Sequence, residues 1–218
     1  MKTFKAASAL LISLSLAACS GGSGDTASTD TTPAVSRIFD LNLPADFDPS
    51  AFPASAQAAL DEFDRLNAGT VATGGPTGNA SGNFLFFGDD TVGIAVEDGA
   101  GGYSLAQGDV LLEGNIDTAK ISGQFQDLSI TDGGGNTTNL LGQVVRLESG
   151  DIVDGRFSNA LSTGPTFNVG GTSASVTGTS QGAFVGDGSE ALGVVEGGIT
   201  IGTDPTQGFA GGYTADSF

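Results

Sequence analysis

The amino-acid sequence predicts an all-β protein: a single antiparallel β-barrel of eight or nine strands over residues 69–218, preceded by a short helix and a disordered tether. Three observations lead to this reading. From residue 69 onward, short runs alternate apolar with polar side chains and are separated by Gly, Asn and Asp, the pattern of antiparallel strands joined by tight turns. The chain carries 36 glycines, which suit the bends and close backbone approaches of curved strands. A stretch of roughly 150 residues in eight or nine strands fits one closed barrel, and closure removes the exposed edges that an open sheet leaves.

Residues 1–18 carry Lys2 and Lys5, an apolar run from Ala6 to Leu16, and small residues before Cys19. That is the layout of a secretory signal peptide, and it is too short to span a bilayer. The string Leu16-Ala17-Ala18-Cys19 resembles the lipobox of bacterial lipoproteins. In those proteins the cysteine sulfur receives a diacylglycerol, and cleavage leaves that cysteine at the new N-terminus. The resemblance assigns lipidation to Cys19, which is the only cysteine, so no disulfide can form within the chain. By resemblance to lipoprotein sorting, Ser20 after it implies the outer membrane, with the body facing the cell surface or the periplasm.

Loss of the signal removes two of the seven Lys and Arg residues and none of the 25 Asp and Glu, leaving a charge of −20. Nucleic acid is excluded as a partner, because phosphate binding needs a basic footprint. Anionic lipid repels such a chain too, so its membrane contact has to come from acyl chains, each buried methylene contributing about 0.8 kcal/mol.

Residues 19–36 form the lipidated tether. The string from Ser20 to Ala34, SGGSGDTASTDTTPA, has no large apolar side chain and cannot offset chain entropy by burial. Its expected reach is roughly 20 Å. Residues 37–68 hold an extended arm with Phe39, Leu41, Leu43, Phe47 and Phe52 among prolines, then a helix over 54–67. Ser55 is placed as its N-cap, Ala56, Leu60 and Phe63 on one face, and Gly69 just past its end.

Strands are expected at 83–88, 92–97, 109–115, 120–131, 138–147, 152–158, 175–186, 191–201 and 207–214. The apolar set changes parity between Phe125 and Leu128, which predicts a bulge. Leu141, Val145, Val153, Phe157, Val176, Phe184, Val195 and Ile199 are expected inside a packed core. A barrel set in the membrane is disfavoured, because Thr214 and Asp216 share a face with Phe218 where a lipid-facing band requires apolar residues.

The string Gly182-Ala183-Phe184-Val185-Gly186-Asp187-Gly188-Ser189-Glu190-Ala191-Leu192-Gly193 resembles the G-x-F-x-G-x-A-x-E-x-x-G hairpin of the lipoprotein barrels typified by transferrin-binding protein B and factor H-binding protein. Gly188 stands where that pattern has Ala. Ile121-Ser122-Gly123, Gly155-Arg156-Phe157-Ser158 and Gly208-Phe209-Ala210-Gly211-Gly212-Tyr213 echo other steps of those barrels, so the likeness spans residues 80–218. It implies a binding lipoprotein whose ligand is set by its loops. In the hairpin itself, Gly186 and Gly188 suit a turn with positive φ, Phe184 shares an inward face with Val176, and Glu190 is expected to accept hydrogen bonds from turn amides.

The chain has no histidine and no tryptophan, and its one thiol is assigned to lipid. Ser-His-Asp and Cys-His catalysis, common zinc sites and His-ligated haem are therefore excluded. The acidic groups Asp89-Asp90, Glu97-Asp98 and Asp61-Glu62-Asp64 read as solvated faces. Asp132-Gly133-Gly134-Gly135-Asn136 lacks the spacing of a calcium loop and reads as a hairpin connection, and Tyr103 and Tyr213 have no visible partner ligands. No cofactor, metal or enzymatic activity is expected. The expected function is an outer-membrane-anchored module that binds a protein or small nutrient, held by the connections near Asp89-Asp90, 99–102, 132–139 and 161–172. The alternative is an envelope lipoprotein without a dedicated ligand.

Replacing Cys19 with Ser is expected to abolish acylation and move the protein into the soluble fraction, because a −20 chain has no other attachment. Cell fractionation after metabolic labelling with a fatty acid checks this.

Overall fold

The structure is a computed structural model that describes residues 52–69, 73–76 and 82–218. The signal peptide, Cys19, the tether and the arm before Phe52 lie outside the described residues. One helix, α1 (Ala54–Asn67), precedes ten strands: β1 (Asn83–Glu97), β2 (Tyr103–Asn115), β3 (Lys120–Thr131), β4 (Thr137–Asn139), β5 (Val145–Val153), β6 (Arg156–Thr163), β7 (Asn168–Val169), β8 (Thr172–Val185), β9 (Glu190–Ile201) and β10 (Gln207–Ser217).

Eight of these strands make the expected closed antiparallel barrel. Each of β1, β2, β3, β5, β6, β8, β9 and β10 pairs with the next in chain order, and β10 returns to β1. The short β4 extends β3, and β7 extends β8. Alternation along each strand sends Phe84, Phe86, Val110, Leu112, Phe125, Phe184, Val195 and Tyr213 inward, where they are buried.

The predicted bulge is present. Gln107 pairs with Ser129 and Asp109 with Gln126, so Gly108 faces both Asp127 and Leu128, and Asp127 takes a φ of 49°. Other expectations are corrected. The segments 83–88 and 92–97 are one strand, because Asp89-Asp90 forms a bulge opposite Asp109 and not a turn. The stretch expected as one strand at 138–147 is broken, since Gln143 N donates to Leu140 O in a turn. That turn resets the parity: Leu140 is buried, and Leu141 is 77% exposed. Nor is 152–158 one strand. Asp154 and Gly155, with φ of 51° and 73°, form a two-residue turn that demands positive φ at both positions. Val153, at the end of β5, is consequently 63% exposed.

The helix occupies the expected residues, but Pro53 is its N-cap and no side chain caps it; Ser55 lies inside the first turn. Proline pre-sets the entering φ, and its carbonyl accepts the first helical bond from Gln57 N at 3.0 Å. The helix lies on the outside of the barrel. Ala59, Phe63 and Leu66 pack on Ala183, Val185, Leu192 and Val194, so β8 and β9 are buried on both faces there. A Cβ on Gly93 would come within 2.9 Å of Phe52, Pro53 and Ala56, so that glycine lets the helix start settle onto β1. Arg156 Nη2 donates to Leu66 O at 3.4 Å, placing a cation at the negative end of the helix.

Inside the barrel, aromatic rings lie over glycines directly opposite them on the neighbouring strand. Phe84 faces Gly114, Phe157 faces Gly182, and Tyr213 faces Gly193. A Cβ on those glycines would stand 2.2, 2.3 and 2.4 Å from the respective ring. The rings also meet one another: Phe184 lies 5.3 Å from Phe86, 5.3 Å from Phe157 and 5.6 Å from Phe84 between centroids. Two polar groups are buried among them. The Tyr213 hydroxyl pairs with Ser180 Oγ at 2.9 Å, and burial pushes its pKa well above the ordinary phenol value. Asn159 Nδ2 donates to Ile121 O at 3.0 Å and Glu148 O at 2.6 Å. It thereby serves carbonyls beside the bulge that interrupts the β5 ladder between Leu147 and Ile152.

Gly193→Ala is expected to destabilise the fold by about 1–3 kcal/mol through overpacking, because the new methyl displaces Tyr213. Gly133→Ala is the control: its Cβ would meet only Tyr103 O, at 3.8 Å, and its unfolding midpoint in urea should match that of the parent. Asn159→Leu is expected to cost about 1–3 kcal/mol by leaving the buried Ile121 carbonyl and the part-buried Glu148 carbonyl without this donor.

Candidate functional site

Successive hairpins of a closed meander put alternate connections at opposite ends. The connections 98–102, 132–144, 164–171 and 202–206 therefore share one end, which we call the loop end. The turns 116–119, 154–155 and 186–189 share the other. Three of the four expected binding connections thus come together. Asp89-Asp90 does not join them, because it sits in the wall at the β1 bulge. The turn 202–206 was not among the expected binding connections; it becomes part of the site only through the pairing of β9 with β10.

Exposed glycine-rich backbone and acidic residues dominate the loop end. Two of its carboxylates, those of Asp98 and Asp132, are engaged with their own loops. Asp98 Oδ1 accepts from Ala100 N at 2.8 Å and Gly102 N at 2.9 Å. Asp132 Oδ1 accepts from Gly134 N at 2.9 Å and Asn136 N at 2.8 Å, while Asn136 Nδ2 donates to Asp132 Oδ2 at 2.9 Å. The Asn136 bonds hold the Asp132 pKa below its ordinary value. These bonds shape the connections, and the glycines keep backbone groups open to a partner. Among the described residues, no group of three or more His, Cys, Asp or Glu side chains could hold a metal ion.

Phe167 has the most consequential position here, and it was not singled out in the sequence. It is carried by the 164–171 connection, yet it is 4% exposed and packs in the core. Beneath it, Ile94, Ala106, Ile130, Val176 and Ile199 help to enclose a cavity of about 50 Å³ whose open lining is wholly apolar. The barrel is therefore closely packed by aromatic rings at one end, and left partly open at the other, where Phe125, Phe167 and Phe209 line the cavity with aliphatic side chains. Six of the eight expected core residues are buried, Leu141 and Val153 being the exceptions.

The 182–193 hairpin lies at the end away from the loops. Gly186 and Gly188 take φ of 62° and 84° as expected. The turn amides are not served by Glu190: Ser189 N donates to Asp187 Oδ1 at 3.0 Å, and Gly188 N to Val185 O at 2.9 Å. A shallow groove of about 620 Å³ lies near that end, lined in part by Leu85, Glu113, Lys120 and Phe218. Its lysine is paired with Asp151 at 2.5 Å. Of the two tyrosines, Tyr213 is in the core, and Tyr103 is half-buried beside the start of the helix. Asp61 and Asp64 of the third acidic group are exposed on the outer face of the helix, and Glu62 ion-pairs with Arg65 at 2.7 Å.

No known protein family matches the chain, and no curated protein matches it. Among solved structures it is similar to isotype 1 transferrin-binding protein B from serogroup B Neisseria meningitidis, at 16% identity and a TM-score of 0.38, over 68% of this chain. The match covers 27% of that protein, so the chain spans about a quarter of its length.

Glu190 pairs in register with Asp216 on the neighbouring strand. Desolvation raises its pKa above the ordinary carboxylate value, and the charges of Asp216 and Glu62 add to the rise. The folded chain thus holds this proton more tightly than the unfolded chain does. The group weakens folding as pH rises through the carboxylate range, and the penalty is absent at lower pH. Glu190→Gln should accordingly raise stability at pH 7 slightly, by less than about 1 kcal/mol for so exposed a pair. Thermal melts should show the gain vanishing in acid.

Proposed function

We propose that the protein is a non-enzymatic binding module, lipidated at Cys19 and anchored in the outer membrane, that holds a protein or small nutrient at the loop end of its barrel. The observation that carries this reading is the convergence of four exposed connections on one end, with a rigid aromatic core behind them. Glycine-rich loops leave backbone donors and acceptors open, and a rigid scaffold positions them. The lipobox supplies the anchor. The likeness of the 182–193 hairpin to those of transferrin-binding-protein-B-like barrels supports a binding role in which loops choose the ligand. Missing histidine and the self-engaged carboxylates favour binding over catalysis.

The charged residues in these connections are Asp98, Asp132 and Asp204, all acidic. A basic or polar protein surface suits them better than an anionic metabolite, and the charge mainly accelerates encounter. The partner's affinity is expected to fall as salt rises.

The test uses intact cells and the purified protein. Protease shaving should remove the barrel from the cell surface. A partner captured by the intact loop end should be lost when 133–136 is shortened to Asn-Gly and 202–206 is exchanged for an unrelated turn, with the circular dichroism unchanged. A partner retained by the doubly exchanged protein would place the binding surface elsewhere. Protection from shaving together with no partner would favour an envelope lipoprotein without a ligand.

A further inference from the structure

We propose that the loop-end half of the barrel interior is a binding chamber for a small, uncharged apolar molecule, with Phe167 as a displaceable plug. Native interiors are close-packed, and voids larger than a water are few. Here a pocket of about 50 Å³, partly open to the outside, exposes no polar atom on its lining, so water gains no partners from its walls and an apolar guest is favoured. Its size follows from one small side chain. Ala106 faces inward between Ile94 on β1 and Ile130 on β3, its register partners, and contributes only a methyl group to the lining.

The plug is carried on a segment built to move. Phe167 is held on a connection whose backbone ties are few: Phe167 N to Gly164 O at 3.1 Å, Ala174 N to Phe167 O at 2.9 Å, and the two register pairs of β7 with β8. Asn168 N adds a bond to Gln143 Oε1 at 2.6 Å. The backbone ladder between β6 and β8 ends at Leu161 and Gly178, and beyond it Val176 N donates to Thr163 Oγ1 at 3.3 Å. Gly170 and Gly171 follow it with φ of 58° and 83° and open space around both.

Displacing the ring enlarges the chamber by one aromatic group. That limits the guest to a single ring or a short branched hydrocarbon, since an apolar cavity of roughly 150 Å³ accepts benzene. Asp98, Asp132 and Asp204 are the charges on the connections above, so an anionic amphiphile such as a fatty acid is disfavoured at the mouth. The chamber is separate from the outer loop surface, and a partner that grips the loops need not enter it.

Toluene is the probe. The full chain carrying Cys19→Ser, free of acyl chains that would compete, is titrated while the methyl resonances of Ile94, Ile130, Val176 and Ile199 are followed by NMR. Saturable shifts confined to these residues are expected. Ala106→Leu, which fills the void, should weaken binding at least tenfold, and Phe167→Ala should strengthen it by about tenfold. If Ala106→Leu fails to fold, Ala106→Val is read in its place, with a smaller loss of affinity. Absence of saturable shifts in the parent, shifts appearing only in Phe167→Ala, or shifts unchanged by filling the void would each overturn the proposal.

Discussion

An eight-stranded barrel is just wide enough for its own side chains to fill it, and this chain meets that constraint by laying aromatic rings over opposed glycines. Tyr213 over Gly193 and Phe157 over Gly182 are the clearest cases, because a single Cβ at either glycine would collide with the ring. The ring takes the volume that the glycine vacates, and the glycine lets the ring lie flat against the wall. Phe184 then joins Phe84, Phe86 and Phe157 into one packed group. Strand closure, the seat of the helix and the tight turns at 154–155 and 186–189 are all arranged around that filled half.

The same constraint divides the barrel in two. Toward the loop end the inward residues are mostly aliphatic, with Phe125 and Phe209 among them; Ala106 faces Ile94 and Ile130, and the wall no longer fills the interior by itself. Phe167, a residue of a connection, packs against the remaining space. The filled half carries the 182–193 hairpin and supplies rigidity; the loop end carries exposed acidic and glycine-rich backbone. A binding role draws on both, since loops hold a partner well only when the scaffold behind them does not yield.

Much of this was legible in the sequence, and what was not has particular causes. Period-two alternation placed most strands and six of the eight expected core residues, and the parity slip between Phe125 and Leu128 marked a real bulge. Two-residue turns leave little trace in such a pattern: Val153, Gly155 and Phe157 keep their spacing straight across the corner at Asp154. Asp89-Asp90 looked like a turn because bulges and turns favour the same residues. Asn159 shares parity with the buried Phe157 and Leu161, so alternation alone could have put it inside, although its polarity argued for the surface. Phe167 had no periodic neighbours, and its only signal was being a large aromatic in a connection of Gly, Pro, Thr and Asn. The turn 202–206 joins the consecutive strands β9 and β10, so its place at the loop end follows from the alternation of hairpins along the meander and not from the residues of the turn.

Native-state hydrogen exchange tests the division of the barrel most directly, because it measures the free energy of opening amide by amide. The account predicts that the amides of Phe86, Gly182 and Gly193 exchange only through global unfolding, whereas those of Phe167 and Asn168 exchange through a local opening at lower free energy that leaves the aromatic half protected. Equal protection at both ends, with Phe167 opening only when the whole barrel unfolds, would contradict it.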